Sequence, residues 1–158
     1  SCPGFLSCSF SAPEQGKEKV FSPSTDSVRE QICKAYRPYG GFRIEAAAPP
    51  MSIWCWNCQG AGSTETVQKI REVRRLHFPD FMFLMETKQK YAYVSGLQKS
   101  LGYDKLFTVE PNGLSGGLAV MWKDSYNVEI LSSDKRIIDM KISSGPLDFF
   151  LSCIYGDP

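Results

Sequence analysis

The sequence lacks a strong excess of charge of either sign, because 18 Lys and Arg residues oppose 17 Asp and Glu residues for a formal net charge of +1. The basic footprint of a protein that binds nucleic acid over a broad surface is therefore missing. No apolar run is long enough to cross a bilayer, so we expect no membrane partner. The chain opens without the pattern of a secretory signal, and we expect an intracellular location, nuclear or cytoplasmic.

Soft metal-binding side chains are also scarce. The chain has one histidine, His77, and its six cysteines do not form the two close pairs of a zinc site. Without a secretory signal, the thiols are expected to be reduced. Trp54-Cys55-Trp56-Asn57-Cys58 superficially resembles a thioredoxin-like W-C-x-x-C motif, which leaves a thiol redox protein acting through Cys55 and Cys58 open as an alternative.

The first fifty residues differ in texture from the rest of the chain. They are rich in Ser, Pro and Gly, have few periodic apolar positions, and end in the linker-like segment Ala46–Pro50. Only Ser27–Tyr36 has the composition of a short helix. We therefore predict a largely disordered, linker-like segment over residues 1–50 and a folded domain over residues 51–158.

The second region has the pattern of an α/β domain. Continuous apolar runs at Met51–Trp56 and Phe81–Met85 predict buried strands. A helical repeat between them begins after Ser63 or Thr64, either of which can cap it, and Pro79 stops it. We expect two helices packed on one face of a mixed sheet. The second helix and the later strands are predicted at Tyr91–Leu101, Lys105–Val109, Gly117–Trp122, Asn127–Ser132, Ile137–Ile142 and Asp148–Ile154.

The strand–helix–strand unit brings two polar residues to one edge of the sheet. Strands joined by such a crossover are nearly always parallel, so Asn57 after the first and Glu86 after the second lie at the edge where α/β sheets bind ligands. Glu86 suits a hard divalent cation, and Asn57 can hold a phosphate oxygen without adding charge. The alternative is that Glu86 faces solvent and Asn57 only makes a turn. His77 lies at the opposite edge and is not a candidate base.

Four short segments of the chain stand out together: Trp56-Asn57-Cys58-Gln59-Gly60, Pro79–Lys88 (PDFMFLMETK), Ser115–Trp122 (SGGLAVMW) and Ile154–Pro158 (IYGDP). In their order and spacing they resemble the W-N-x-x-G, P-D-[apolar]-x-E-T-K, S-G-G-x-A-[apolar]-x-W and Y-x-x-P segments of the endonuclease/exonuclease/phosphatase superfamily. They resemble in particular the N-terminal half of the endonuclease domain of non-LTR (LINE-type) retrotransposons, over roughly residues 51–158.

The resemblance implies the N-terminal half of a four-layer α/β/β/α sandwich and metal-dependent phosphodiester hydrolysis of the DNA endonuclease type. It implies Asn57 and Tyr155 as catalytic residues that position the phosphate, Glu86 as the ligand of Mg²⁺ or Mn²⁺, and DNA as the partner. The family pattern continues past the segment at Pro158 with a G-D-x-N, a later Asp and a late His. We therefore expect weak metal binding and no measurable nuclease activity from this chain. A non-catalytic retrotransposon-derived remnant, or a weak nucleic-acid-binding module, is the alternative.

Overall fold

The protein has an α/β fold built from nine strands and two helices over the part of the chain that the structure, a computed structural model, describes: residues 4–10, 30–35, 51–145 and 147–155. In chain order the elements are β1 (Gly4–Phe10), β2 (Glu30–Ala35), β3 (Met51–Asn57), α1 (Thr64–His77), β4 (Phe81–Met85), α2 (Tyr91–Leu101), β5 (Lys105–Val109), β6 (Leu118–Trp122), β7 (Asn127–Ser133), β8 (Ile137–Ser144) and β9 (Leu147–Tyr155).

The described strands form two sheets. The five-stranded sheet has the order β2-β3-β4-β6-β5, with β3 and β4 parallel and the other neighbours antiparallel. The four-stranded sheet has the order β1-β9-β8-β7, with β1 and β9 parallel and the rest antiparallel. The predicted mixed sheet is confirmed, and β5 to β9 lie within two residues of their predicted bounds.

The five-stranded sheet is apolar on both faces because it lies between two other layers. Along β4, Phe81, Phe83 and Met85 pack with residues of β8 and β9 in a core between the sheets. Met82 and Leu84 point the other way and pack with α1 and α2. This double burial explains why β4 is continuously apolar rather than alternating. The described residues thus form three layers of an α/β/β/α sandwich: helices, five-stranded sheet and four-stranded sheet.

Both helices begin or end where the residue chemistry predicts. Ser63 is the N-cap of α1, and its Oγ accepts a hydrogen bond from the backbone N–H of Thr66 at 3.1 Å. The helix ends when Phe78 adopts a left-handed conformation, and Pro79 follows. Gly102 ends α2 with a φ of 78°, which glycine adopts without steric cost.

The first fifty residues contribute two strands that the sequence pattern does not reveal. The short helix expected within Ser27–Tyr36 is wrong over its described part, because Glu30–Ala35 forms β2 against β3. The edge of β3 offers a row of backbone donors and acceptors, whereas an isolated helix of this length is unstable. The remaining residues of the predicted linker lie outside the described ranges, so the division at residue 50 stays a prediction. Within those ranges, no helix is long and apolar enough to span a membrane.

Candidate functional site

The parallel pairing of β3 and β4 places Asn57 beside Glu86. Asn57 is the last residue of β3 and lies opposite Met85, and Glu86 follows directly after β4. Asn57 Nδ2 donates a hydrogen bond to Glu86 Oε1 at 3.3 Å, and both side chains are half-buried. The convergence expected from the crossover rule is therefore present at the carboxyl ends of these strands.

Tyr155 reaches the same carboxylate from the other sheet. It is the last residue of β9, and its hydroxyl donates a hydrogen bond to Glu86 Oε1. The amide of Asn57 is oriented by its neighbour, because Asn57 Oδ1 accepts from the backbone N–H of Gln59 at 3.3 Å. With Oδ1 engaged there, Nδ2 is the end of the amide that faces Glu86. All three residues singled out from the sequence thus meet at one oxygen atom.

The backbone around Glu86 is fixed from the β3 side. Glu86 has a φ of 52°, in the left-handed region that a residue other than glycine enters only at a steric cost. Its carbonyl oxygen accepts a hydrogen bond from Gly60 N at 2.8 Å, and Ala61 N donates to the carbonyl of Thr87 at 2.8 Å. The turn after β3 therefore holds the loop after β4 in this conformation.

The same loop is fixed from the β6 side by two glycines. Thr87 N donates to Gly117 O at 3.1 Å, and Lys88 N donates to Gly116 O at 2.9 Å. Thr87 is buried, with a relative exposure of 1%. Sequence reasoning treated Ser115–Trp122 only as a motif that begins a strand and did not connect its glycines to Glu86. The signal available was two successive glycines directly before an apolar strand.

Cys58 is a buried thiol that contacts the backbone at the end of β4 and at Glu86. Its Sγ donates to Met85 O at 3.2 Å and lies 3.7 Å from Glu86 O. Burial, more than any other cause, raises the pKa of Cys58 to about 11, so the thiol stays protonated at neutral pH. A redox-active thiol needs the opposite shift, towards a lower pKa.

Cys55 and Cys58 do not form the redox pair left open above. Cys55 packs between the two sheets, whereas Cys58 packs in the layer of the helices. Cys58 and Cys153 are not in a disulfide, whereas Cys55 is in one. The expectation of reduced thiols holds for Cys58 and Cys153 and is wrong for Cys55. Since the two side chains pack on opposite sides of the five-stranded sheet, they do not act as one dithiol.

His77 is distant from the candidate site, as the sequence indicates, although it is the last residue of α1 rather than part of the following loop. His77 is exposed and precedes β4 in the chain. It therefore lies near the start of β4, whereas Glu86 follows the end of that strand. Asp80 also lies at this opposite end. Its carboxylate accepts hydrogen bonds from Ser52 N at 2.9 Å and from Lys123 Nζ at 3.1 Å, so it joins β3, β4 and the end of β6.

The donor types around Glu86 suit a hard divalent cation. The Glu86 carboxylate supplies oxygen atoms, the Asn57 amide and the Tyr155 hydroxyl donate hydrogen bonds to it, and Mg²⁺ is commonly held by one or two protein carboxylates together with water. Across the described ranges, no group of three or more His, Cys, Asp and Glu side chains is placed to hold a metal ion. The arrangement therefore fits a weakly held ion with few protein ligands rather than an enclosed metal site.

No family model matches the sequence, and no curated protein matches it. Solved structures with a similar arrangement include TDP2 from Caenorhabditis elegans, at 19% identity and a TM-score of 0.49, covering 67% of this chain and 35% of that one. The 3′ phosphatase NExo from Neisseria, bound to a product DNA hairpin, has 13% identity and a TM-score of 0.42, with 63% and 40% covered. The AP endonuclease LMAP from Leishmania major has 15% identity and a TM-score of 0.49, with 92% and 49% covered.

The chain thus spans between 35% and 49% of the length of these three structures. Since their TM-scores lie below 0.5 and their identities below 25%, these likenesses assign no function.

Proposed function

We propose that Asn57, Glu86 and Tyr155 belong to a site for metal-dependent phosphodiester hydrolysis of the DNA endonuclease type. The observation that carries the proposal is the convergence of the Asn57 amide and the Tyr155 hydroxyl on Glu86 Oε1, from two different sheets. Two neutral donors and one acceptor held together in this way form a pre-organised polar cluster, which a solvent-facing strand end does not need.

Each residue has a distinct role in this proposal. Glu86 would hold Mg²⁺ or Mn²⁺, and such an ion, when bound, neutralises the phosphodiester and polarises its phosphoryl oxygen. Asn57 Nδ2 and the Tyr155 hydroxyl are uncharged donors, so they can orient a non-bridging phosphate oxygen without adding charge. The Glu86 carboxylate is oriented by the same two groups, which reduces the reorganisation that binding requires.

We further propose that the site is of the non-LTR retrotransposon type, with DNA as partner and an intracellular location. Support comes from the places that the four sequence segments occupy in the fold. W-N lies at the end of β3, E-T-K follows β4, S-G-G precedes β6, and the segment with Tyr155 lies at the end of β9. Described residues from all four segments thus lie at strand ends or in the adjoining loops near one carboxylate, although the segments are far apart in the sequence.

The 158-residue chain by itself is proposed to bind the ion weakly and to cleave nothing. Hydrolysis needs a group that activates or orients water and a group that stabilises the leaving oxygen. The one histidine of the chain is exposed at the other end of β4, and in the described ranges no cluster of acidic side chains joins Glu86. Catalytic groups that act as a unit are strongly non-additive, so a partial set leaves almost no rate.

The binding of a short fluorescent DNA duplex, followed by anisotropy with and without Mg²⁺, tests the proposal. We expect Mg²⁺ to strengthen DNA binding by the unmodified chain and Glu86→Gln to remove this increment. Glu110→Gln is the matched control, because Glu110 is an exposed carboxylate whose Oε1 accepts only from the backbone of Tyr91 among the contacts described. The same dependence on Mg²⁺ in Glu86→Gln as in the unmodified chain would contradict the proposal.

A further inference from the structure

Gly117, the residue before β6, lies very close to the Glu86 loop, which is the segment 86–88 directly after β4. Only glycine fits at this position without movement of the loop. We infer that Gly117 is a positioning residue for Glu86, acting through the side chain of Thr87. The inference rests on the proposed role of Glu86 as metal ligand, and it assigns a function in the site to the second glycine of the S-G-G segment.

Backbone hydrogen bonds also join the residues just outside β4 and β6, after the end of β4 and before the start of β6. In the sheet, Met85 lies opposite Leu118. Beyond that pair, Thr87 N donates to Gly117 O at 3.1 Å, so the backbone of the Glu86 loop is tied to the residue before β6. Any change in the position of Gly117 therefore acts directly on the residue after Glu86.

The side chain of Thr87 fills the space above Gly117. Thr87 is buried, and a methyl group added to Gly117 would overlap Thr87 Oγ1. The same methyl group would lie 3.3 Å from Lys88 N and 3.4 Å from Pro111 Cβ, so it has backbone on one side and a ring on the other. Interiors this closely packed do not absorb an additional methyl group without movement.

The movement is transmitted to Glu86 because that residue is held on its other side. Gly60 N donates to Glu86 O at 2.8 Å, and Glu86 already has the unfavourable φ of 52°. A displacement of Thr87 away from Gly117 must therefore be taken up by rotation of the Glu86 backbone. That rotation carries the carboxylate away from the Asn57 amide, whose hydrogen bond is already long at 3.3 Å.

Gly116 provides a control that separates this contact from simple backbone strain. Gly116 has a φ of 75° and Gly117 a φ of 90°, so alanine is disfavoured by the backbone at both positions. A methyl group on Gly116 would meet nothing within 4 Å, whereas one on Gly117 would meet Thr87. Gly117→Ala is therefore expected to disturb Glu86 more than Gly116→Ala does.

Nuclear magnetic resonance of the ¹⁵N-labelled full chain measures the effect in two ways. Without metal, the side-chain amide signal of Asn57 reports its contact with Glu86. With Mn²⁺, paramagnetic broadening near Glu86 gives the affinity for the ion even when binding is weak. We expect Gly117→Ala to shift the Asn57 signal and to weaken Mn²⁺ binding about tenfold or more, the scale for groups that orient a metal ligand. Gly116→Ala should change both clearly less, because it strains the backbone that bonds Lys88 N but adds no contact with Thr87.

A compensating substitution completes the test. Thr87→Ala removes the side chain that the new methyl group would meet, so the Gly117→Ala/Thr87→Ala double variant should resemble the unmodified chain more than Gly117→Ala does. If Gly117→Ala does not fold, Thr87→Ala alone examines the same contact, and it should shift the Asn57 signal because it empties the space above Gly117.

Two results would overturn the inference: equal effects of Gly116→Ala and Gly117→Ala, or an unchanged Asn57 signal in both Gly117→Ala and Thr87→Ala. A failure of the proposed function would look different. In that case the unmodified chain would show no Mn²⁺ broadening near Glu86, while the metal-free Asn57 signal would still decide whether Gly117 positions the carboxylate.

Discussion

The hydroxyl of Tyr155 donates a hydrogen bond to Glu86 Oε1 across the gap between the ends of two different sheets. Tyr155 can do so because Cys153 and Leu151, two and four residues earlier in β9, face the core between the sheets, and Tyr155 continues on the same face. The position of Glu86 therefore depends on the packing of the whole sandwich and not only on the loop after β4.

Tyr155→Phe tests this relationship. The ring should remain packed against the inter-sheet core while the hydrogen bond to Glu86 is lost. We expect the free energy of unfolding to fall by about 1 kcal/mol or less and Mn²⁺ binding at Glu86 to weaken severalfold. Urea unfolding and Mn²⁺ titration measure the two quantities. A variant that binds Mn²⁺ as well as the unmodified chain would show that the hydroxyl does not orient Glu86.

Asp80→Asn separates stability from the candidate site. Asp80 is mostly buried and accepts hydrogen bonds from Ser52 N and Lys123 Nζ at the end of β4 opposite Glu86. Loss of its charge should lower the free energy of unfolding by about 2 kcal/mol, the scale for hydrogen bonds to charged groups. The Asn57 side-chain signal should not move. A large shift of that signal with unchanged stability would contradict the assignment of Asp80 as a structural residue.

The raised pKa of Cys58 predicts a loss of stability in alkali. Below pH 9 the thiol is protonated in both states; between pH 9 and about 11 the unfolded thiol ionises while the folded one keeps its proton. The free energy of unfolding should therefore fall over this window, by about 3 kcal/mol at most. Urea unfolding at pH 8, 9 and 10 should show this fall in the unmodified chain and a smaller one in Cys58→Ala. Parallel curves for the two proteins would refute the assignment.

A plasmid-nicking assay tests the expected lack of hydrolysis by the 158-residue chain. Supercoiled DNA incubated with Mg²⁺ and the chain should stay supercoiled, because no group of three or more His, Cys, Asp and Glu side chains forms around Glu86 in the described residues. Glu86→Ala serves as the control for contaminating nuclease. Nicking by the unmodified chain that disappears in Glu86→Ala would mean that a further residue completes the site.

Sequence reasoning succeeded where local chemistry decides the structure. The continuous apolar run Phe81–Met85 predicts a strand covered on both faces, and Ser63 and Gly102 mark helix ends by their own capping geometry. The meeting of Asn57 and Glu86 follows from the parallel pairing of two strands that a helix connects. For these features, neighbouring residues contain the required information.

Prediction from the sequence failed where the structure depends on contacts between distant parts of the chain. Glu30–Ala35 forms a strand because the edge of β3 is available to it, and nothing within the segment itself indicates this pairing. The contact of Gly117 with Thr87 is steric and joins residues thirty positions apart, so the glycine resembles an ordinary turn residue in the sequence.

A Mn²⁺ titration of the ¹⁵N-labelled chain, compared with Glu86→Gln and Glu110→Gln, tests the proposed metal site most directly. Paramagnetic broadening should centre on the Asn57 side-chain amide and on the backbone amides of Glu86, Thr87 and Lys88. It should disappear in Glu86→Gln and persist in Glu110→Gln. Broadening that is centred elsewhere, or that survives Glu86→Gln unchanged, would contradict a divalent-metal site at this edge of the sandwich.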